Sequence, residues 1–140
     1  MTRRVCVKCG KNRDVKFYSG PRGRVCSSCR RRRTQVASRA VRLAETYDIT
    51  TEEYQALLEA QGGRCAICGG SRSYNLDVDH DHALAAAGVP IRDTVRGLLC
   101  KQCNRRVLRS ARDSIEVLEA AVAYLKDPPA QAILSTTSVE

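Results

Sequence analysis

Residues 76–104 read LDVDHDHALAAAGVPIRDTVRGLLCKQCN, and this stretch decides the fold. Residues 76–80 alternate apolar and polar side chains, which is typical of a half-buried β-strand. Residues 94–99 predict the returning strand, and the small, Gly- and Pro-containing residues 83–93 predict a loop between the two. The cysteine pair that follows opens a predicted helix, which carries Asn104. The stretch therefore predicts two paired strands followed by a helix.

Eight cysteines fall into four Cys-x-x-Cys pairs, namely Cys6/Cys9, Cys26/Cys29, Cys65/Cys68 and Cys100/Cys103. Each pair presents two thiolates to one metal ion, and tetrahedral zinc takes four. Joining neighbouring pairs gives two sites with inserts of 16 and 31 residues. The shorter spacing is typical of a zinc ribbon. Disulfides or redox pairs are the alternative, but four repeated pairs in a chain expected in the cytosol favour two structural zinc ions.

The net charge of +9 is unevenly distributed along the 140 residues. Residues 1–42 hold 14 basic residues and one acid, whereas the remainder holds 10 basic and 14 acidic residues. A basic segment without an aromatic amphipathic helix favours nucleic acid over a membrane as the partner; the alternative is a solvated basic face. The predicted nucleic-acid contacts are Arg30, Arg31, Arg32, Arg33, Arg39 and Arg42.

Composition excludes several classes of protein. Aromatic residues make up only 4% of the chain and there is one Phe, so a core this poor in large side chains needs metal sites to stabilise it. No apolar run reaches the ~18 residues that a membrane span needs. The first residues form no apolar signal segment, so we expect a cytoplasmic protein that is neither exported nor membrane-bound.

The helical patterns and the cysteine pairs predict four segments. Residues 1–33 form a basic zinc ribbon with short strands at 5–9 and 16–18, and residues 34–62 form two linking helices, the second starting at a Thr50-x-x-Glu53 capping box. Residues 63–127 form a zinc-stabilised core that ends in an amphipathic helix over about 114–126. Residues 128–140 form a tail, without a clear pattern after Ala130.

The candidate chemistry lies between the third and fourth cysteine pairs. The chain's only two histidines, His80 and His82, alternate there with Asp79 and Asp81, so on a strand the acids and the imidazoles face opposite sides. Closing the second zinc site brings Asn104 back towards Asp79. Two hard oxygen ligands suit Mg²⁺, and a neighbouring imidazole can activate water against a phosphate. The alternative is a solvated acidic turn with packed histidines.

These motifs resemble the recombination endonuclease VII family, a phage-associated branch of the HNH, or ββα-metal, nucleases. The resemblance covers residues 50–127 and rests on Cys65-Ala-Ile-Cys68, on residues 76–82 and on residues 95–104. It implies that Asp79 and Asn104 bind a catalytic Mg²⁺, for which Mn²⁺ can substitute, that His80 is the general base and that His82 assists. It also implies that the second cluster holds a structural zinc.

The resemblance implies an α+β fold, with a ribbon and linking helices before a small zinc-stabilised ββα-metal core. It also implies Mg²⁺-dependent cleavage of DNA that leaves 5′-phosphate and 3′-hydroxyl ends. The best-known member is an intertwined dimer, and the long helices here permit a homodimer. That member has an acid where this chain has Val107, so junction specificity is not carried over. The alternative function is a non-catalytic zinc-binding protein that binds DNA or assists packaging.

Overall fold

A computed structural model of the chain describes residues 2–134. The chain divides into two compact units. The first contains the chain up to Ala56 together with Ala83–Thr94, and the second contains Leu57–His82 together with the chain from Val95 onward. Each unit holds one antiparallel strand pair and one group of four cysteines, so the second cysteine group and residues 76–82 lie in the same unit.

The ribbon in the first unit is built on strands β1 (Arg3–Val5) and β2 (Asn12–Asp14). The predicted strand at 5–9 is wrong beyond Val5, because residues 6–10 must turn to bring both cysteines of the pair together. This turn is closed by the Gly10 N–H, which donates to the carbonyl of Cys6 at 2.8 Å. Of the predicted strand at 16–18, only Tyr18 forms a β-bridge, with Cys26. Residues Val15–Phe17 form a 3-10 turn instead of a strand.

Helix α1 (Ser27–Tyr47) starts earlier than the predicted residue 34. The second cysteine pair turns directly into the helix, with Cys26 at the N-cap and the Arg30 N–H donating to its carbonyl at 3.0 Å. The four consecutive arginines of residues 30–33 therefore lie in the first turns of α1. The helix ends at Asp48, whose φ of 53° gives the left-handed conformation that commonly closes a helix.

Helix α2 (Thr51–Ala60) begins at the predicted capping box. The Glu53 N–H donates to Thr50 Oγ1 at 3.1 Å, and the Thr50 N–H donates to Glu53 Oε2 at 2.8 Å. Glu53 also forms an ion pair with Arg92, which holds the pKa of this carboxyl at about 2. Arg92 belongs to a 3-10 turn, Ile91–Thr94, so this ion pair ties the end of the 83–94 insert to α2 within the first unit.

The insert is more regular than the predicted loop. Helix α3 (His82–Ala86) begins one residue before the insert and continues into it, because its run of alanines favours the helical conformation. Gly88, with a φ of 87°, follows the end of this helix.

The second unit is built on β3 (Asp77–His80) and β4 (Val95–Leu99), the two predicted strands. Asp79 pairs with Gly97 but His80 pairs with Val95, so Arg96 is the extra residue of a β-bulge. The Gln61 side chain holds β4 from its other edge, because it accepts from the Leu98 N–H at 2.8 Å and donates to the Leu98 carbonyl at 2.9 Å. The core beside these strands includes Leu76, Val78 and Leu98.

Three helical segments follow β4. The predicted helix at the fourth cysteine pair is present and widens into a π-helical segment, Cys103–Leu108. The predicted last helix is α4 (Ile115–Lys126), although its apolar side chains, such as Ile115 and Leu125, are 67% and 75% exposed. A short helix α5 (Pro129–Leu134) replaces the first part of the predicted tail, and residues 135–140 lie outside the described residues.

The predicted fold class is confirmed: the chain is α+β, with small antiparallel sheets, helices and two cysteine groups that could hold zinc. Across residues 2–134, no helix combines the length and the apolar character needed to span a membrane.

Candidate active site

Two groups of four cysteines have the geometry of a zinc site. In each group the Sγ atoms all lie within 4.8 Å of one another, and the groups contain the predicted members: Cys6, Cys9, Cys26 and Cys29 in one, and Cys65, Cys68, Cys100 and Cys103 in the other. All eight are free thiols, so the disulfide alternative is not what the structure shows. Either group could supply the four thiolates of a closed structural zinc site.

Backbone N–H groups aim at the sulfurs of both clusters. The Cys26 N–H donates to Cys6 Sγ at 3.3 Å and lowers the pKa of the Cys6 thiol to about 6. The Cys103 N–H donates to Cys100 Sγ at 3.5 Å and lowers the pKa of the Cys100 thiol. Zinc binds the thiolate form, so these N–H groups favour the charge state that the metal needs.

The second cluster also has a cationic partner. One nitrogen of the Arg72 guanidinium, Nη2, lies 3.6 Å from both Cys68 Sγ and Cys100 Sγ. A zinc ion with four thiolates carries a net charge of −2, so this arginine offsets part of the negative charge. It also orients two of the four sulfurs, as groups around metal ligands commonly do.

The β-bulge explains how Asp79 acquires its partner. In a regular strand, Gly97 and Asp79 would lie on one face of the sheet and the Arg96 side chain would point to the opposite face. The extra residue of the bulge turns the Arg96 side chain towards Asp79. Arg96 Nε donates to Asp79 Oδ2 at 2.8 Å, and Arg96 Nη2 donates to Asp79 Oδ1 at 3.1 Å. Asp79 is 6% exposed, and this fork compensates its buried charge.

A cleft of about 500 Å³ brings the predicted metal ligands together. Asp79 and Asn104 both line it, although they are 25 positions apart in the sequence, because the strand pair and the second cysteine cluster return the chain to Asp79. His82 and Asp113 also line this cleft. The expectation that Asp79 and His82 face opposite sides is wrong, because β3 ends at His80 and His82 already belongs to α3.

The oxygen donors in the cleft fit Mg²⁺. An ionised carboxylate has about four lone-pair sites. Arg96 donates one hydrogen bond to each oxygen of Asp79, so each oxygen keeps a lone pair that can bind a metal ion. The side chain of Asn104 adds a neutral carbonyl oxygen. A carboxylate and a carbonyl are hard ligands of the kind that Mg²⁺ prefers, and Mg²⁺ keeps several water molecules besides.

The two histidines are neighbours, but they have different surroundings. Their ring centroids are 4.3 Å apart and the rings are inclined by 55°. His82 lines the cleft, whereas the described lining of the cleft does not include His80. Burial lowers the pKa of His80 and the adjacent His82 lowers it further, while Asp79 opposes both effects. These surroundings therefore favour the neutral form of the His80 imidazole.

Sequence reasoning missed most of the charged groups around Asp79. Arg96 and Asp113 form an ion-paired chain with it, and the cleft is also lined by Arg105, Arg109 and Arg112. Arg105, Arg109 and Arg112 are spaced four and three residues apart, and this helical spacing could have predicted that they share one face. Arg105 lies 3.6 Å from Asp77, the carboxylate two residues before Asp79. The cleft therefore carries a positive rim that suits an anionic ligand.

The predicted nucleic-acid residues lie in the first unit. A groove of about 510 Å³ runs beside the first cysteine cluster and is lined by Arg30, Arg32 and Arg33 together with the apolar Val25 and Val36. Arg39 differs from this group, because its guanidinium carbon lies 4.0 Å from the centroid of the Tyr54 ring. Part of its role is therefore to pack against α2.

Comparison with known proteins agrees with the motif. The profile of the recombination endonuclease VII family matches residues 40–127. The Gene 59 protein of Mycobacterium phage D29 is 43% identical over 127 residues, covering 87% of this chain and 70% of that protein. The Gene 59 protein of Mycobacterium phage L5 is 42% identical with the same coverage. No solved structure gives a significant match. With its profile match spanning most of the chain, this protein belongs to the recombination endonuclease VII family.

Proposed function

We propose that this protein is a phage-encoded, Mg²⁺-dependent endonuclease that hydrolyses phosphodiester bonds in DNA within the cytoplasm of the infected bacterium. Membership of a nuclease family and the similarity to two phage proteins support this proposal. The observation that carries it is the cleft where a buried carboxylate, an amide and an imidazole meet under a positive rim.

Asp79 and Asn104 would hold the Mg²⁺ ion, for which Mn²⁺ could substitute. When bound, the metal would polarise the phosphate and neutralise the leaving 3′ oxygen. Arg96 fixes the orientation of the Asp79 carboxylate through its two hydrogen bonds, so the side chain does not have to be ordered when DNA binds.

His80 would act as general base and take a proton from the attacking water. Its lowered pKa supports this role, because it favours the neutral imidazole, the form that can take up a proton. His82, in ring contact with His80 and at the cleft, would assist at the same centre. In-line attack by the water breaks the bond to the 3′ oxygen and leaves 5′-phosphate and 3′-hydroxyl ends.

DNA would be held mainly by the basic first unit. The arginines of residues 30–33 and Arg42 are on α1, and each contact with a phosphate adds affinity without regard to sequence. The basic rim of the cleft would contact the phosphates next to the bond that is cut. The two cysteine clusters would each hold a structural zinc ion.

The direct test is cleavage by the zinc-loaded protein of supercoiled, linear, single-stranded and branched DNA, with Mg²⁺, with Mn²⁺ and with EDTA added just before the assay. We expect cleavage of at least one substrate with either metal, none with EDTA, and ends that DNA ligase can join. A protein that binds these substrates but cuts none of them with either metal would instead support the non-catalytic binding function.

A further inference from the structure

The arginines around Asp79 affect whether the cleft can bind a metal cation. Four arginines surround Asp79 among the described residues: Arg96, Arg105, Arg109 and Arg112. Arg105 is already paired with Asp77, but Arg96, Arg109 and Arg112 would still oppose a divalent cation held by the Asp79 carboxylate alone. The lining contains one further carboxylate, that of Asp113.

Asp113 is close to Asp79 in space. Arg96 Nη2 lies 3.1 Å from Asp79 Oδ1 and 3.4 Å from Asp113 Oδ1, so the two carboxylates lie around the same nitrogen atom. The Asp113 side chain is 30% exposed, whereas that of Asp79 is 7% exposed. Asp113 is therefore reachable from solvent, at a point where both carboxylates contact the same guanidinium nitrogen.

Capping of the following helix does not account for the position of the Asp113 carboxylate. The residue precedes α4, but Ser114 is the N-cap and accepts from the Val117 N–H at 3.2 Å. The Asp113 backbone has a φ of 56° and follows Arg112 at 53°, two successive left-handed residues that are not glycine. That conformation directs the carboxylate to Arg96 and into the cleft, and away from the helix end.

We propose that Asp113 is a second carboxylate of the catalytic metal site and binds the cation together with Asp79 and Asn104. The inference rests on the proposed function and adds a residue to its metal site. Arg96 then acts as the counter-ion that holds both carboxylates in place before the cation arrives.

The test measures metal binding separately from cleavage. Mn²⁺ is titrated into the zinc-loaded full chain, and free Mn²⁺ is followed by electron paramagnetic resonance. Asp113→Asn is the main variant, because asparagine keeps the side-chain shape and tolerates the left-handed conformation while it removes the charge. Asp113→Gly removes the whole side chain and suits this backbone better still. Asp127→Asn, at the end of α4 and outside the cleft lining, is the matched control.

We expect both Asp113 variants to bind Mn²⁺ at least 10-fold more weakly than the wild type, with unchanged zinc content and circular dichroism, and the Asp127 variant to bind normally. Wild-type affinity in either folded Asp113 variant, or an equal loss in the control, would overturn the inference and leave the proposed function standing. A wild-type protein that binds no Mn²⁺ would overturn both.

Discussion

The first unit spreads its arginines over a ribbon and a long helix, whereas the second gathers arginines around two carboxylates. In the first, residues 30–33 follow a cysteine pair directly and the nearby groove is partly apolar. In the second, Arg96 is committed to Asp79 and Asp113 by hydrogen bonds of 2.8–3.4 Å. On the proposed function, the arginines of residues 30–33 would contact DNA phosphates, whereas Arg96, which is paired with both carboxylates, would organise the metal site.

The two cysteine clusters also differ in their charged neighbours. Both receive backbone N–H donors, but Arg72 adds a guanidinium to the sulfurs of the second cluster. Cys100 and Cys103 of that cluster lie directly between β4 and Asn104, so the metal site there also sets the position of a candidate ligand. On the proposed function, the first unit would supply affinity for DNA and the second would supply the chemistry.

Removing one zinc ligand from each unit should give the largest effects and separate the two roles. Cys65→Ser should unfold the second unit and abolish cleavage, because metal binding and folding are coupled. Cys6→Ser should unfold the ribbon and weaken DNA binding, while cleavage at saturating DNA continues. Zinc content, hydrogen exchange and single-turnover rates distinguish these outcomes. Loss of single-turnover cleavage in the Cys6 variant would show that the division of roles is wrong.

Replacing the proposed general base should affect the chemistry alone. His80→Ala should slow cleavage by about 10²–10⁴-fold, the usual contribution of general acid–base catalysis, and leave DNA affinity unchanged. His82→Ala is the matched variant, since it removes the ring that lines the cleft. Single-turnover rates and gel-shift titrations on the same samples measure both quantities. A larger loss for His82→Ala than for His80→Ala would reassign the base to His82.

Neutralising the first unit should affect affinity alone. Changing all four arginines of residues 30–33 to alanine should flatten the slope of log binding constant against log salt concentration by up to about 3–4, since each phosphate contact contributes ~0.9. Changing the same four residues to lysine keeps the charge and should preserve most of the slope. Fluorescence anisotropy at several salt concentrations gives the slopes. An unchanged slope in the alanine variant would mean that these arginines form only a solvated helix face.

The sequence predicted those features that depend on local pattern or on cysteine spacing. Simple rules of residue pattern and spacing are enough to predict four features: the strand pair, the helix that carries Asn104, the capping box at Thr50 and the members of both cysteine groups. The start of α1 was misplaced because a cysteine pair can itself form the first helical turn, which hydrophobic periodicity does not reveal.

The charged groups around Asp79 could not be predicted in this way. Arg96 reaches Asp79 because of a β-bulge, and Asp113 enters the cleft through two left-handed residues. No glycine marks the left-handed positions 112 and 113, whereas Gly97 inside the strand pattern is a signal of a bulge that does not say which side chain the bulge redirects. Both placements depend on tertiary contacts that form only after the strand pair and the following helix have packed.

The smallest expected effect concerns the pH dependence of cleavage and tests the environment of His80 directly. Burial and the neighbouring His82 lower the pKa of His80 below its ordinary value of 6.5, so protonation requires a more acidic solution. The midpoint of the acid-side decline in the single-turnover rate should therefore lie below pH 6.5, because the protonated imidazole cannot accept a proton from water. His82→Ala removes one of the groups that lower the pKa of His80, so it should move the pH midpoint of the rate decline upward. The residual activity of His80→Ala should lack this decline, and a wild-type midpoint above 6.5 would show that a different group is the base.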